Sequence, residues 1–243
     1  MTRYSFTYEQ EIDHRGHSLV PHFPGGNSGV TIGPGYDLSH RSPQEIFNDL
    51  SAVGVDYEVI GKLIGAAQKS GTEAATWVAE HGGIFITEEQ QQALYEQVLV
   101  PTYEERTREQ LFQCKELYGL TEAEIQWEQL SPRQQEALFD FVYNTGGLTR
   151  FPEFTVAVLQ DDWESASLYY ERFSGDMPLL YRNEMFYQKF ILNIDGHSSG
   201  IESDENHFQN GEPDTLNAVV DDLYADPDDY QDDSGTDDWY EIQ

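Results

Sequence analysis

The last 49 residues of the chain set the first limit on what it can fold into. Residues 195–243 contain 16 acidic residues and no lysine or arginine, and the last basic residue is Lys189. Like charges at this density repel one another, and turn formers interrupt the segment DPDDYQDDSGTDDW. Only LNAVVDDLY has a helical pattern, and the acidic spacing does not match a calcium-binding EF-hand loop. We therefore predict a folded domain over residues 1–193 and an acidic, largely disordered tail over residues 194–243.

The net charge argues against several classes of partner. The chain has 45 acidic and 13 basic residues, a formal charge of −32, and residues 1–194 account for −16 of it. Nucleic-acid phosphates are bound mainly by lysine and arginine, and anionic lipids attract basic segments, so we expect no nucleic acid among the partners and no binding to membrane surfaces. No apolar run approaches the roughly 20 residues that cross a bilayer, which predicts no membrane insertion.

Helix-forming patterns dominate the sequence after residue 42. Ser42 and Ser131 each precede a proline at the first helical position, and Thr87 begins a capping box. The predicted helices run from residue 43 to about 52, from 88 to 117 with a bend or break at Pro101, from 132 to Gly146, from 161 to 173, and from 180 to 191. The fold class predicted for the body is therefore mainly α.

The exception is the segment GGNSGVTIGPGYDLS, residues 25–39, which is rich in glycine. Residues 30–32 favour an extended backbone and Pro34-Gly35 favours a turn, so we predict a small β-hairpin. Glycine is costly in backbone entropy. The composition therefore indicates a segment whose backbone must be approached closely, rather than one that only fills a core.

Carboxylates lie in and just before this hairpin. Thr31 and Asp37 are near its turn, and Glu9, Glu11 and Asp13 lie in a helix-like segment upstream. Two carboxyls that flank a sugar are the minimal machinery of glycoside hydrolysis, because one protonates the leaving oxygen and the other assists water. In so acidic a chain such pairs also arise by chance, so spacing alone leaves a solvated acidic surface as the alternative.

Five segments follow one another in a consistent order over roughly residues 4 to 193: Glu11, PGGNSGVTIGPGYDL, SPRQQEALFDFVYNTGG, DDWESA and YRNEMFYQKF. Together they resemble the phage-type lysozymes, glycoside hydrolase family 24, and most closely the pesticin-like branch. The resemblance implies a mainly α (α+β) lysozyme-like fold with a small N-terminal β-hairpin and an α-helical lobe. It also implies cleavage of the β-1,4 bond between N-acetylmuramic acid and N-acetylglucosamine in peptidoglycan, without a cofactor.

The resemblance assigns roles to three residues. Glu11 is implied to be the general acid, Thr31 is the threonine of the TIGxG motif, and Asp37 is the pesticin-type aspartate six residues beyond it. The family's Glu-Gly pair after an aromatic is absent here, where the chain has YEQEI, so Glu9 is the alternative acid. Asp13 precedes the threonine as the classical phage aspartate does, but it lies nearer the glutamate than that motif places it. Asp37 therefore ranks above Asp13.

The proposed chemistry needs two carboxyls in different states. Glu11 must hold a proton near neutral pH, which requires an apolar or carboxylate-rich setting that raises its pKa. Asp37 must stay ionised to orient or deprotonate a water with help from the Thr31 hydroxyl. An inverting reaction needs about 6.5–9.5 Å between the two carboxyls and a retaining one about 5–5.5 Å. The sequence leaves both open.

Three further residues are candidate substrate contacts. Tyr36 can stack on a sugar, with core packing as the alternative, and His40 follows the aspartate of the hairpin closely enough to contact substrate. Asn144 closes the predicted central helix in a Tyr-Asn step that resembles the family's.

Other reactive residues have simpler interpretations. The histidines near the hairpin have irregular spacing, whereas zinc ligands usually recur at regular intervals, so we predict no metal site. These histidines are His14, His17, His22 and His40. Cys114 is the single cysteine and is predicted to be an inert thiol on a helix. Arg182 and Glu184 are predicted to form a surface pair.

The sequence thus predicts a muramidase that acts on peptidoglycan glycan strands. The segment MTRYSFTYEQEIDH has no signal-peptide pattern, so we expect a protein made in the cytoplasm that meets cell wall after release or by another route. The rival prediction is a lysozyme-fold binding module that has lost catalysis and docks an unidentified partner through its acidic tail. The altered glutamate motif favours this rival, as does an acidic body that anionic walls repel unless salt screens the charges.

Overall fold

Helices make up most of the structure, a computed structural model that describes residues 2–12, 16–175 and 177–193. All of these residues belong to one unit spanning residues 1–197. The predicted tail lies outside the described residues, and so do Asp13 and His14. The described α-helices are α1 (Ser5–Glu11), α2 (Pro43–Ala52), α3 (Tyr57–Leu63), α4 (Gly71–Glu80), α5 (Glu88–Leu94), α6 (Val100–Tyr118), α7 (Pro132–Thr145), α8 (Pro152–Leu159), α9 (Trp163–Ala166) and α10 (Leu180–Phe186).

Short irregular helices and two hairpins join these elements. The 3-10 turns are His17–Leu19, Ile64–Ala66 and Trp127–Gln129, and the π turns are Tyr95–Leu99 and Tyr187–Ile191. The strands pair antiparallel, β1 (Thr31–Ile32) with β2 (Tyr36–Asp37) and β3 (Phe173–Ser174) with β4 (Met177–Pro178). The prediction of a mainly α fold with a small hairpin near residue 34 is confirmed.

The three predicted helix starts are also confirmed. The side-chain oxygens of Ser42, Thr87 and Ser131 each accept a hydrogen bond from the backbone N–H three residues further on. The Glu or Gln at that third position accepts in return from the backbone N–H of the cap residue. These reciprocal bonds satisfy donors that the helix itself leaves unpaired, which is why the pattern is readable from sequence.

Pro101 neither breaks nor ends the long helix that contains it. Helix α5 continues through the π turn Tyr95–Leu99 into α6, and Pro101 lies in the first turn of α6. Proline cannot donate to the carbonyl four residues earlier, and its ring crowds that carbonyl. The wider π turn just before it accommodates both effects, so the helix passes through the proline.

The predicted helix from 161 to 173 is wrong. Helix α9 covers only Trp163–Ala166, and the chain then runs to β3. The reason is tertiary: the backbone of Arg172 exchanges two hydrogen bonds of 3.0 Å with the side chain of Asn183 instead of bonding within a helix. The Arg172 side chain is fully buried. Burial of this cation thus overrides the local helical pattern.

Helix α7 is the centre of the core and positions α1. All residues from Ala137 to Tyr143 are buried, as expected of a helix surrounded by protein. Helix α1 packs on α7, and the Thr7 hydroxyl donates to Asp140 Oδ1 at 3.0 Å. Glu11 lies one turn after Thr7 and on the same face of α1. The packing of α1 on α7 therefore directs Glu11 toward the interior.

Candidate functional site

The hairpin sorts its side chains onto two faces. Thr31 pairs with Asp37 and Ile32 pairs with Tyr36. Directly opposed residues of an antiparallel pair share a face, and successive residues alternate. Thr31 and Asp37 therefore lie side by side on one face, with Ile32 and Tyr36 on the other. The turn between the strands uses Gly35 at a φ of +92°, a conformation that favours glycine.

Backbone donors fix the Asp37 carboxylate. The N–H of Gly29 donates to Oδ2 at 3.2 Å and the N–H of Ser39 donates to Oδ1 at 2.7 Å. A Cβ atom at position 29 would lie 2.1 Å from Asp37 Oδ1 and 2.5 Å from the Ser39 Cβ. Glycine is thus required at position 29 because this carboxylate occupies the space of any side chain there.

His22 extends this row of polar side chains. It forms an isolated antiparallel bridge with Thr31, with two backbone hydrogen bonds of 2.9 Å, so His22, Thr31 and Asp37 stand in line across three chain segments. The Thr31 side chain is almost buried, with the residue 6% exposed. The sequence indicated His22 only as one of several histidines, because an isolated bridge leaves no periodic pattern.

Glu11 reaches the turn of the same hairpin. Its Oε2 lies 3.8 Å from the position that a Cβ at Gly35 would occupy. Its Oε1 accepts from Arg182 Nη1 at 2.5 Å, and its side chain keeps 21% of its exposure. Burial raises the pKa of Glu11 above its ordinary value, and the opposing charge of Arg182 does not cancel this effect. Glu9, the alternative acid, is exposed.

The predicted acid and the predicted aspartate lie near each other. Asp37 is two residues beyond Gly35, about 6.6 Å of extended chain. Burial raises the pKa of the Tyr103 phenol on α6. The charges of Arg106 and Arg41 oppose this shift, and those of Glu11 and Asp37 add to it. The structure thus places Glu11 at the turn of the hairpin whose paired strands carry Thr31 and Asp37.

Tyr143 fastens the central helix to the hairpin turn. Its hydroxyl donates to the carbonyl oxygen of Pro34, and its ring lies 4.1 Å from that of Tyr103. The residue is 9% exposed, and a Cβ at Gly35 would lie 3.4 Å from its hydroxyl oxygen. The Tyr-Asn step at the end of α7 therefore holds the turn in place through its tyrosine.

Arg182 was predicted to lie on the surface, but it is a largely buried residue of the candidate site. Its guanidinium bonds Glu11 through Nη1 and Asp140 Oδ1 through Nη2, the latter at 2.6 Å, and its side chain is only 11% exposed. Glu184 accepts instead from Gln188 Nε2 at 2.7 Å. The predicted Arg182–Glu184 pair is therefore wrong. Its partners are distant in sequence, and no local pattern indicated them.

The three residues predicted to contact substrate differ in their exposure. Tyr36 is 0% exposed, its hydroxyl donates to Asp49 Oδ2 at 2.7 Å, and the Arg41 guanidinium covers its ring at 3.9 Å. The predicted sugar stacking by Tyr36 is wrong, because the ring faces the core. His40 is exposed. Asn144 is partly exposed, and its Oδ1 is buried without a hydrogen-bond partner among the described residues.

Three other features concern metal binding, membrane spanning and thiol chemistry. Within the part of the chain that the structure describes, no group of three or more His, Cys, Asp or Glu side chains could hold a metal ion. No helix there is both long and apolar enough to span a membrane. Cys114 is buried, and burial raises the pKa of its thiol to about 11, which keeps the thiol protonated and unreactive.

Comparison with known proteins finds one family. Residues 4–156 match the family described as "Domain of unknown function (DUF8812)". No curated protein matches the chain. The matched range includes the hairpin, α1 and α7, and it ends before Arg172 and Arg182.

Proposed function

The chain belongs to the DUF8812 family, and we propose that it is a muramidase of lysozyme-like fold. Its substrate would be the β-1,4 bond between N-acetylmuramic acid and N-acetylglucosamine in the glycan strands of peptidoglycan. One observation carries the proposal: the largely enclosed carboxyl of Glu11 meets the turn of the hairpin that bears Asp37 and Thr31.

Glu11 is the proposed general acid. A carboxyl that protonates a glycosidic oxygen must carry a proton at the working pH, and enclosure by protein atoms favours the neutral form. Burial raises the pKa of Glu11 in this way. The proton passes to the leaving oxygen as the bond to the anomeric carbon breaks.

Asp37 and Thr31 are proposed to bind and orient the attacking water. Backbone donors hold both oxygens of the Asp37 carboxylate, and the Thr31 side chain stands directly opposite. A water bound between them would be oriented toward the anomeric carbon and would lose its proton to Asp37. Direct attack of this water on the anomeric carbon would be the inverting reaction, which needs about 6.5–9.5 Å between the Glu11 and Asp37 carboxyls.

The test is release of muropeptides from purified cell walls. The wild-type protein should release them, and Glu11→Gln should reduce the rate by about 10²–10⁴-fold, the usual contribution of a general acid. Glu9→Gln is the matched control, because it removes an exposed carboxyl two residues away on the same helix. A wild-type protein without activity, in an assay that detects a control lysozyme, would overturn the proposal.

The second candidate function is a wall-binding module without catalysis. The ion pair between Glu11 and Arg182 favours it, because a cation in contact favours the charged form of a carboxyl that the reaction needs neutral. Such a module would sediment with purified walls and release no muropeptides. A muramidase would sediment with the walls and release muropeptides.

A further inference from the structure

Arg182 divides its guanidinium between two carboxylates. Nη1 bonds Glu11 at 2.5 Å and Nη2 bonds Asp140 at 2.6 Å. Both of these acids belong to helices that face the core, and the arginine itself is on α10. A guanidinium that bonded Glu11 alone would favour the charged form of that acid more strongly than one shared with a second anion.

Asp140 holds its share of Arg182 firmly. It is 0% exposed and accepts from three donors: Arg182, Arg172 Nη1 at 2.5 Å and the Thr7 hydroxyl at 3.0 Å. Burial alone would favour the neutral acid, but the charges of Arg182 and Arg172 outweigh it and lower the pKa of Asp140. Asp140 is therefore a buried anion at neutral pH that shares the Arg182 guanidinium with the proposed acid.

Arg172 is the second cation in contact with Asp140. Its guanidinium is fully buried, with the rings of Phe141 and Phe186 at 4.7 and 4.8 Å. Asp140 is its partner, and Arg172 Nε and Nη2 have no acceptor among the described residues. Two carboxyl groups and two guanidiniums thus alternate from Glu11 through Arg182 and Asp140 to Arg172.

The groups that act on Glu11 come from several elements. Arg182 on α10 and Arg172 before β3 favour its charged form, whereas burial and Asp140 on α7 favour its neutral form. The charge of Glu11 in turn raises the phenol pKa of Tyr95 in the π turn, Tyr103 on α6 and Tyr143 on α7. Asp140 is the anion among these groups. Replacing Asp140 therefore removes a negative charge near Glu11 and leaves the Glu11 side chain unchanged.

We propose that Asp140 is a positioning residue for the general acid: by holding one arm of Arg182, it limits how far that cation keeps Glu11 ionised. This inference rests on the proposed function. It assigns to the buried aspartate the task of keeping Glu11 able to carry a proton while Arg182 fixes the direction of its carboxyl.

The test replaces Asp140 by asparagine, which keeps the shape and removes the charge. The titration midpoint of the Glu11 carboxyl, followed by carbon-13 NMR, should fall by about one pH unit, a tenfold change in proton affinity. The alkaline limb of the pH–rate profile for muropeptide release should move downward with it. Glu136→Gln is the matched control, because Glu136 lies one turn earlier on α7 and bonds the Phe6 N–H, and it should leave the Glu11 midpoint in place.

Arg172→Met tests whether the Glu11 titration midpoint shifts in the opposite direction when a cation is removed. It removes the second cation on Asp140 and should move the Glu11 midpoint upward. If neither variant folds, as judged by circular dichroism, the wild-type titration decides: Glu11 should titrate above 4.5 while Asp140 remains charged. A wild-type Glu11 midpoint at or below 4.5, or a folded Asp140→Asn variant with an unchanged midpoint, would overturn the inference.

The NMR readout separates this inference from the proposed function. A midpoint that falls in Asp140→Asn, in a wild-type protein that releases no muropeptides, supports the charge division and rejects the muramidase. An active wild-type protein with a Glu11 midpoint that does not respond to Asp140→Asn keeps the muramidase and rejects the positioning role. If Asp140 were purely structural, Asp140→Asn would lower the free energy of unfolding and leave the titration midpoint of Glu11 unchanged.

Discussion

Thr31 and Asp37 face each other directly across the two-residue strands of the first hairpin. If their shared task is to hold the attacking water, Thr31→Val should lower turnover between about tenfold and a hundredfold, because one hydrogen bond to a charged or reacting group contributes about 1.5–3 kcal/mol. Thr31→Ser keeps the hydroxyl and should retain most of the activity. Equal rates for the two variants in the muropeptide assay would exclude a role for the hydroxyl.

Gly29 gives a steric test of the same site. Gly29→Ala places a methyl group 2.1 Å from Asp37 Oδ1, so the carboxylate or the strand must shift, and muropeptide release should fall at least about tenfold. Gly82→Ala is the control, because a Cβ there meets nothing within 4 Å and its stability change should stay within about 0.5 kcal/mol. An active Gly29→Ala protein would show that the position of Asp37 is not critical.

Tyr143 should contribute to stability through its hydroxyl. Tyr143→Phe leaves the Pro34 carbonyl without this donor, which should lower the free energy of unfolding by about 1–3 kcal/mol in urea titrations. Tyr57→Phe removes a hydroxyl from a residue that is 71% exposed and should change stability by less than about 0.5 kcal/mol. Similar losses for both variants would contradict the proposed fastening of the turn.

Acid should unfold the protein partly through Asp140. Its pKa is lowered in the folded state, so its stabilising contribution is complete above about pH 4, the value of an unfolded aspartate, and is lost as the pH falls through the folded pKa. Asp140→Asn should flatten the decline in unfolding free energy below pH 4. It should also cost about 3–5 kcal/mol at pH 7, because it leaves the buried Arg172 guanidinium without its carboxylate partner and takes one of two such partners from Arg182.

The control for this measurement is Glu105→Gln, a change at an exposed residue of α6. It should leave both the slope and the midpoint of acid unfolding unchanged. If Asp140→Asn and wild type lost stability in parallel below pH 4, the ion pairs of Asp140 would not be the cause of the pH dependence.

Salt should affect activity according to the charge of the substrate. Residues 1–194 carry −16, and at low ionic strength an anionic wall repels such a surface. Raising the salt from about 0.01 to 0.15 M shortens the Debye length from about 30 to 8 Å, so wall binding and muropeptide release should both rise. Hydrolysis of an uncharged N-acetylglucosamine oligomer, where it occurs, should change little. A decline on walls would contradict the screening argument.

Local signals in the sequence predicted the local parts of the structure. The caps at Ser42, Thr87 and Ser131 and the turn after Ile32 depend on neighbouring residues only, so they were readable. The face of Tyr36 was readable too: strand side chains alternate, and a residue adjacent to Asp37 cannot share its face. Core packing was the alternative prediction for Tyr36, and this alternation favours that alternative.

The charged centre of the site could not be read in the same way. Arg182 bonds an acid 171 positions earlier, and Arg172 bonds Asp140 across 32 positions. Arg182 lies in the segment YRNEMFYQKF, but that segment does not indicate its partners, and the pattern around Arg172 favours a helix that its burial prevents. What the sequence does show is an aspartate among aromatic residues in a core helix, FDF, a position where an acid requires a buried cation.

The Glu11–Arg182 contact also determines how late in synthesis the folded site can form. It joins the first helix of the domain to its last, a contact of high sequence separation that forms only when the intervening chain is in place. Nearly all of the domain must therefore be synthesised before Glu11, the proposed proton donor, can meet Arg182. A fragment limited to residues 4–156 would carry the acid, the threonine and the aspartate, yet lack both arginines that govern the acid's charge.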